Sequence, residues 1–128
     1  MEGIRPVLAP HLQVVQGYRP GGFTVSGIAY AGSILVLPDR VLAWPVTAPD
    51  EIDAAGLAAL RTAVPMPDLL VVGTGPGFAL FPPALRLAIR AWGPVVEAMA
   101  TPAACRTYNV LLAEERRVAA ALIAMPAA

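Results

Sequence analysis

Hydrophobic positions along the chain change their spacing near residue 47. Before that point, short apolar runs alternate with glycine-rich turn signals, a pattern typical of β-strands. The runs at residues 33–37 and 41–46 are separated by Pro38, Asp39 and Arg40, and a three-residue connection predicts a hairpin. Earlier strands are expected at residues 12–15 and 23–28. The first third of the chain is therefore predicted to be rich in strands.

After residue 50 the pattern alternates between helix and strand. Leu57, Leu60 and Val64 recur at helical spacing, which predicts an amphipathic helix over residues 50–64. Residues 69–72 form a continuous apolar run, typical of a strand buried on both faces. The elements expected next are a helix at residues 82–93, a strand at 95–99, a helix capped by Thr101 and a last strand at 118–123.

This order of elements predicts an α/β fold. Helices alternating with strands imply a mixed or parallel sheet that carries helices. The early β-hairpin is expected to form a further layer on the other side. We therefore predict one domain over residues 1–128, with three layers of β+β/α type and a mixed central sheet.

Composition excludes several classes of protein. The chain is 57% hydrophobic and 14% charged, with a mean hydropathy of +0.64, so a membrane span has to be considered. The longest uncharged stretches, residues 20–38 and 69–85, are interrupted by glycines and prolines, and neither is the apolar run that a spanning helix needs. The N-terminus shows no signal peptide, so a cytoplasmic protein is predicted. Nine basic residues balance nine acidic ones, which disfavours nucleic-acid binding.

The special residues exclude more chemistry. All nine basic residues are arginine, so Schiff-base formation and a phosphate-loop lysine are ruled out. With one cysteine and one histidine, neither an internal disulfide nor a structural metal site is expected. His11 is the single imidazole that could act as a base.

A glycine turn, residues 73–77 (GTGPG), follows the buried strand and precedes a helix. Gly73, Thr74 and Gly75 lie where open α/β sheets bind ligands, and glycines let the backbone approach an anion closely. Phe78, however, stands where a dinucleotide fingerprint needs its third glycine, and Pro76 lacks an N–H. No nicotinamide or flavin cofactor is therefore expected. A tight turn without ligand is favoured, and a site for a small anion or polar ligand is the alternative.

Cys105 lies near the start of the third predicted helix, beside Arg106 and one turn before Asn109. A helix N-terminus and an adjacent arginine both lower a thiol pKa. Free cysteine is also among the most buried residue types, and no base is near in sequence. A partly or wholly buried, space-filling Cys105 is favoured over a reactive thiol. Asn109 and Thr101 are expected to hold neighbouring backbone.

The large apolar fraction also predicts a contact surface. Once a core is filled, apolar side chains should remain outside, and contiguous patches mark contact sites. The candidates are Trp44 in the hairpin, Phe78 and Phe81 in the segment before the second helix, and Tyr18. A protein partner or self-association is predicted, including a dimer paired through an edge strand of the first third.

Four stretches of the sequence together resemble a known family. They are "GSILVLP…VLAW", "DLLVVGTG", "LFPPALRLAIRAWGPVVEAM" and "AACRTYNVLLAEERRVAAALI", and the resemblance covers about residues 11–125. The chain resembles the small domain shared by the mitochondrial complex I assembly factor three family, the adipogenesis-associated domain proteins and many uncharacterised bacterial proteins. The resemblance implies a three-layer domain with a mixed sheet, no established enzymatic reaction, and a bacterial member of a family whose best-understood members help assemble a respiratory complex by binding other proteins.

The chain departs from the family pattern at three places. Ala100 stands where the family often has aspartate, residues 78–81 lack a basic residue, and Glu115 replaces a usual glycine, which puts the end of the third helix in question. The first two losses weaken the case for a catalytic pocket. The favoured function is thus a non-enzymatic interaction or assembly-factor-like protein. The alternative is a small-ligand or anion-binding protein that uses the glycine turn and the Cys105 helix, with or without thiol chemistry.

Overall fold

The structure is a computed structural model that describes residues 12–127. The described chain contains eight strands, two α-helices and two 3₁₀ helices. In order they are β1 (Val15–Arg19), β2 (Gly22–Val25), β3 (Ile28–Ala31), β4 (Ile34–Val36), β5 (Val41–Ala43), 3₁₀ helices at Pro49–Glu51 and Ala55–Thr62, β6 (Leu69–Gly73), α1 (Pro83–Trp92), β7 (Val95–Met99), α2 (Thr101–Ala113) and β8 (Val118–Leu122).

Five strands form the central sheet, in the order β5-β4-β8-β6-β7. β6 pairs in parallel with both β7 and β8, whereas β4 pairs antiparallel with β5 and β8, so the sheet is mixed. A separate antiparallel sheet contains β1, β2 and β3 in that order. The predicted α/β class with a mixed central sheet is confirmed.

Two apolar cores lie on opposite faces of the central sheet. On one face the sheet packs against α1 and the second 3₁₀ helix. On the other face it packs against α2 and the sheet formed by β1–β3. Within residues 12–127, no helix is both long enough and apolar enough to cross a membrane.

The early hairpin joins the central sheet. β4 pairs with β8, and β5 lies at the sheet edge. All three residues of β4 are buried, so this strand needs cover on both faces, which a place inside the central sheet provides. The additional β layer is formed by β1–β3 instead. Ser26 and Gly27, with φ of 47° and 86°, make the two-residue turn between β2 and β3 that suits twisted strands.

The predicted amphipathic α-helix over residues 50–64 is wrong in type. The structure has 3₁₀ helices at Pro49–Glu51 and Ala55–Thr62. Leu57, Leu60 and Ala63 are buried at a spacing of three, which matches the three residues per turn of a 3₁₀ helix. Val64, which an α-helix would place on the same buried stripe as Leu57 and Leu60, is 70% exposed.

The two α-helices begin and end close to the positions that the sequence signals predict. α1 begins at Pro83 and stops at Gly93, whose φ of 137° suits glycine. α2 ends at Ala113. Glu115 then adopts a φ of 63°, so the turn after α2 places a non-glycine residue in the left-handed conformation that favours glycine.

The last strand is confirmed. β8 lies between β4 and β6, and all five of its residues are buried. Three of them are alanines, whose small side chains let both layers approach the middle of the sheet closely.

Candidate functional site

The glycine turn lies at the carboxyl end of β6, packed onto the start of α2. A Cβ built on Gly73 would lie 2.7 Å from Thr101 Oγ1 and 3.0 Å from Thr101 Cα, so only glycine allows this approach. Gly75 has a φ of 100°, which L side chains rarely adopt. The two glycines therefore serve close packing and turn geometry.

Thr101 joins this turn to β8. Its hydroxyl accepts the Gly75 N–H at 2.9 Å and donates to the Ile123 carbonyl at 2.7 Å. The Thr101 N–H in turn donates to the Gly75 carbonyl at 2.8 Å. The prediction that Thr101 caps its helix is wrong: Ala100 is the N-cap residue and makes no side-chain cap bond. The Thr101 hydroxyl instead bridges the Gly75 N–H and the Ile123 carbonyl.

Thr74 closes the turn from inside. Its hydroxyl lies 2.6 Å from the Gly77 carbonyl and accepts the Ala79 N–H at 3.2 Å. Its own N–H donates to the Met99 carbonyl at 2.8 Å. With the N–H groups of Thr74, Gly75 and Ala79 already donated, and none on Pro76, the turn has few donors left for an anion. This geometry favours a tight structural turn.

A cavity of about 430 Å³ lies beside the glycine turn. Thr74, Gly75 and Pro76 line one side, and Ser33 and Thr47 supply further hydroxyls. None of the described residues that line it is ionisable, so its walls offer no general acid or base. His11, the candidate base, lies outside the described residues.

A second cavity, of about 250 Å³, was not anticipated from the sequence. It lies at the other end of α2, with apolar walls that include Pro38, Tyr108 and Leu112. Glu115 and Arg116 lie at the same cavity. Its lining comes from five separate parts of the chain, so no local pattern could have indicated it.

Cys105 lies inside the core between α2 and the sheets, with 5% of its surface exposed. The expectation of a buried cysteine is confirmed. Burial raises the pKa of the thiol to about 11, and the neighbouring Arg106 only partly opposes this. The thiolate, which is the nucleophile, is therefore scarce at neutral pH, and the reactive-thiol alternative is not favoured.

We expect Cys105 to react slowly with a thiol reagent such as a disulfide dye at pH 7.5 in the folded protein. The reaction should become at least about a hundredfold faster in denaturant, since unfolding exposes the thiol and returns its pKa to the ordinary range. Stopped-flow absorbance measures both rates, with free cysteine at the same denaturant concentrations as the reference. Fast labelling of the native protein would contradict the burial argument.

Tyr108 and Asn109 hold α2 against the N-terminal part of the chain. The Asn109 amide donates to the Val15 carbonyl at 2.6 Å and its Oδ1 accepts the Val15 N–H at 3.0 Å. The Tyr108 hydroxyl donates to the Gln13 carbonyl at 2.6 Å, and burial raises the tyrosine pKa. Arg106 is exposed. The structure thus does not bring Cys105, Arg106 and Asn109 to the cavity beside the glycine turn.

The candidate partner surface is corrected at two of its four residues, whereas Tyr18 is 44% exposed. Trp44 and Phe81 are each 2% exposed and belong to the core beneath α1 and the second 3₁₀ helix. The Arg86 guanidinium also lies over the Phe81 ring, with its carbon 5.7 Å from the ring centroid. Phe78 is 65% exposed, as expected for a surface residue.

Two further exposed leucines, Leu80 and Leu87, were missed by sequence reasoning. Leu80 is 76% and Leu87 is 71% exposed. Leu87 lies on the side of α1 away from the buried Ile89, with Ala84 and Ala91 at helical spacing from it. The signal in the sequence was that this outward stripe of α1 is apolar. We call Phe78, Leu80 and Leu87 the apolar rim.

The described residues thus form a small mixed α/β domain in which the Thr74 and Asn109 side chains of the predicted site bind backbone of the same chain. The described part of the chain also holds no group of three or more histidine, cysteine, aspartate or glutamate residues able to bind a metal ion. The chain belongs to the family described as "protein of unknown function (DUF498/DUF598)", which matches residues 15–123. The resemblance seen in the sequence is confirmed.

Relatives of the chain include named and unnamed proteins. It is 40% identical over 114 residues to an uncharacterised protein of Rhodobacter capsulatus, a match that covers 89% of this chain and 86% of that protein. It is 35% identical to NADH dehydrogenase (ubiquinone) 1 alpha subcomplex assembly factor 3 of Danio rerio, over 89% of this chain and 66% of that protein. The chain therefore spans slightly less than two thirds of the assembly factor.

A solved structure shows the same fold. The solution structure of a Bordetella pertussis protein, described as a Mth938-like domain, superimposes with a TM-score of 0.79. The two sequences are 33% identical, and the match covers 94% of this chain and 90% of the other. Several curated relatives of this chain are named as assembly factors.

Proposed function

We propose that this chain is a non-enzymatic assembly factor, a single domain that binds other proteins while a respiratory NADH dehydrogenase is being built. The observation that carries the proposal is the use of the candidate site residues. Thr74, Thr101 and Asn109 hold backbone groups of their own chain, and Cys105 is buried with a raised pKa. A domain in which these polar and thiol groups serve its own fold is suited to binding. The relationship to a protein named as an assembly factor supports the same role.

The apolar rim is the proposed contact surface for the partner protein. Each of its three side chains, Phe78, Leu80 and Leu87, is more than 60% exposed. Large exposed apolar side chains favour a protein partner, since burying them on contact is the main source of binding energy. The outward alanines of α1 beside Leu87 would let a partner helix or loop approach closely.

The test is recovery of NADH dehydrogenase subunits from cells that make the chain. A tagged copy at the native locus is cross-linked and purified, and the co-purifying proteins are quantified by mass spectrometry. We expect enrichment of NADH dehydrogenase subunits, and loss of the assembled enzyme on native gels when the gene is deleted. Normal assembly of the enzyme after deletion would overturn the proposed role.

The contribution of the apolar rim is tested separately. The double variant Phe78→Ser with Leu80→Ser should lower subunit recovery by about tenfold or more, because contact energy is concentrated in a few large apolar side chains. The matched control is Val64→Ser with Val110→Ser, at positions that are 70% and 56% exposed elsewhere on the surface. The control should recover subunits at the wild-type level. Equal loss in both double variants, or in neither, would remove the rim from the proposal.

A further inference from the structure

The four sheet edges of the fold are not equally protected against pairing with another strand. The edges are β1 and β3 of the smaller sheet and β5 and β7 of the central sheet. An open edge presents unpaired N–H and C=O groups, and natural proteins usually cover or charge such edges. The edges differ in whether they carry such protection.

Three of the edges are protected by side chains of the described residues. The Asn109 side chain binds both backbone groups of Val15 in β1. The Arg86 guanidinium donates to the Val96 carbonyl in β7, a strand that also carries the exposed charge of Glu97. β5 lies between the charged Arg40 and Pro45, which cannot extend a ladder.

One side chain does reach β3: the Arg19 guanidinium donates to the Tyr30 carbonyl at 3.5 Å, but that carbonyl faces β2. The outward backbone groups of β3 have none of these devices. Its sequence is Ile-Ala-Tyr-Ala, without charge or proline, and glycines flank it at positions 27 and 32. Ile28, Ala29 and Ala31 are all exposed, Ile28 by 57%. An uncharged, exposed edge strand of this kind is suited to pairing with a further strand.

The register shows which backbone groups of β3 point outward. Gly32 donates its N–H to the Gly21 carbonyl at 2.7 Å. From this bonded pair the β2–β3 ladder continues without a bulge to the pair of Val25 and Ile28. Hydrogen-bonded and non-bonded pairs alternate along an antiparallel ladder, so Tyr30 and Ile28 direct their backbone groups towards β2. Ala29 and Ala31 therefore direct theirs outward, where no described residue bonds them.

We propose that β3 pairs antiparallel with β3 of a second copy of this chain, which joins the two small sheets into one six-stranded sheet. This inference does not depend on the proposed function. In the register that uses every outward group, Ala29 lies opposite the partner's Ala31, and by symmetry Ala31 lies opposite the partner's Ala29. The two pairs make four N–H···O=C hydrogen bonds around a two-fold axis at Tyr30.

A second copy fits this edge better than a charged peptide. Because β3 carries no charge, a charged strand paired with it would bring a charge that finds no partner at the contact, whereas a second β3 brings none. On the outer face alanines meet alanines, so no bulky group obstructs the approach. On the inner face Tyr30 lies beside the partner's Tyr30 in a non-bonded pair, where cross-strand side chains are closest. Ile28 lies opposite the partner's Gly32, which leaves room for it. Because the strand is short, we expect a weak dimer that depends on concentration.

Sedimentation velocity on the full chain, from micromolar to millimolar concentration, tests the dimer. We expect a reversible monomer–dimer equilibrium. The variant Ala29→Pro removes an outward N–H in each copy but keeps the β2–β3 ladder, so it should weaken association by about tenfold or more. The matched control is Ala43→Pro, which removes an N–H from the β5 edge and should leave association unchanged. The Trp44 N–H donates to the Ser33 carbonyl, so by the same alternation the Ala43 N–H also points outward.

A disulfide tests the register independently of any loss of folding. In a Cys105→Ser background, Tyr30→Cys places two thiols opposite each other in a non-bonded pair, at a Cα separation of about 4.5 Å that a disulfide can span. Oxidation should yield a covalent dimer on non-reducing gels. Ile28→Cys, in the same strand, should give far less. A wild-type chain that stays monomeric at millimolar concentration overturns the proposal, and so does cross-linking that is equal at positions 28 and 30. If the β3 edge instead accepts a strand of another protein, the purified chain would stay monomeric at millimolar concentration.

Discussion

Replacing Gly73 by alanine should destabilise the protein by about 3 kcal/mol or more, since it forces a methyl group into a filled, buried space. The added Cβ would lie 2.7 Å from Thr101 Oγ1, 3.0 Å from Thr101 Cα and 3.2 Å from Leu122 Cδ2. A flexible side-chain tip could move aside, but the Thr101 Cα belongs to the backbone of α2. Relief of the clash therefore requires α2 to move away from β6, which would disturb the core on that face of the sheet.

Urea unfolding followed by circular dichroism measures this loss. The matched control is Gly77→Ala in the same turn, where nothing lies within 4 Å of the added Cβ and φ is not left-handed. Its stability should stay within about 0.5 kcal/mol of the wild type, as is usual for open surface positions. If Gly73→Ala were as stable as Gly77→Ala, close packing of the glycine turn on α2 would not be the reason for glycine at position 73.

The elements that were predicted correctly from the sequence are those whose signals lie within the element or directly beside it. The run of four apolar residues in β6, the two prolines at the start of α1 and the glycine at its end each act within a few residues of their own position. Hydrophobic spacing also identified the alternation of helix and strand that defines the fold class. It could not distinguish a 3₁₀ helix from an α-helix around Leu57, because Leu57 and Leu60 are three residues apart, which both geometries allow.

The roles of the polar site residues depend on partners far away in the sequence. Asn109 binds backbone 94 residues away, and the Thr101 hydroxyl donates to a carbonyl 22 residues away. A local pattern shows that such side chains can bind backbone, and burial of Cys105 could be argued from its residue type. Which strands those side chains would join could not be predicted, because it follows from the order of strands in the two sheets.

The candidate partner surface failed for a related reason. Trp44 follows the edge strand β5, and an edge position suggests exposure. The segment after it folds back as the second 3₁₀ helix, and the indole is buried in the core with Leu57 and Leu60. Phe81 is buried in the same core although Phe78, three residues earlier, is exposed. Exposure here depends on how a connecting segment folds over the sheet, which residue type and spacing do not determine.

Replacing Thr101 by valine should destabilise the protein by about 3 kcal/mol, because a buried donor and a buried acceptor would both lose their partner. Valine has nearly the same shape, so packing is kept, but the Gly75 N–H and the Ile123 carbonyl are left without the hydroxyl that binds them at 2.9 and 2.7 Å. Thr101 is fully buried, so water cannot replace the hydroxyl without opening the structure.

Two further variants separate the hydroxyl from the methyl group in the same unfolding experiment. Thr101→Ser keeps both hydrogen bonds and loses a methyl group, so it should cost about 1 kcal/mol. Thr62→Val, at an exposed threonine in the second 3₁₀ helix, should change stability by less than about 0.5 kcal/mol. The expected order of stability is wild type and Thr62→Val first, then Thr101→Ser, then Thr101→Val. If Thr101→Ser proved less stable than Thr101→Val, packing of the methyl group rather than the hydroxyl bridge would be what holds the glycine turn, α2 and β8 together.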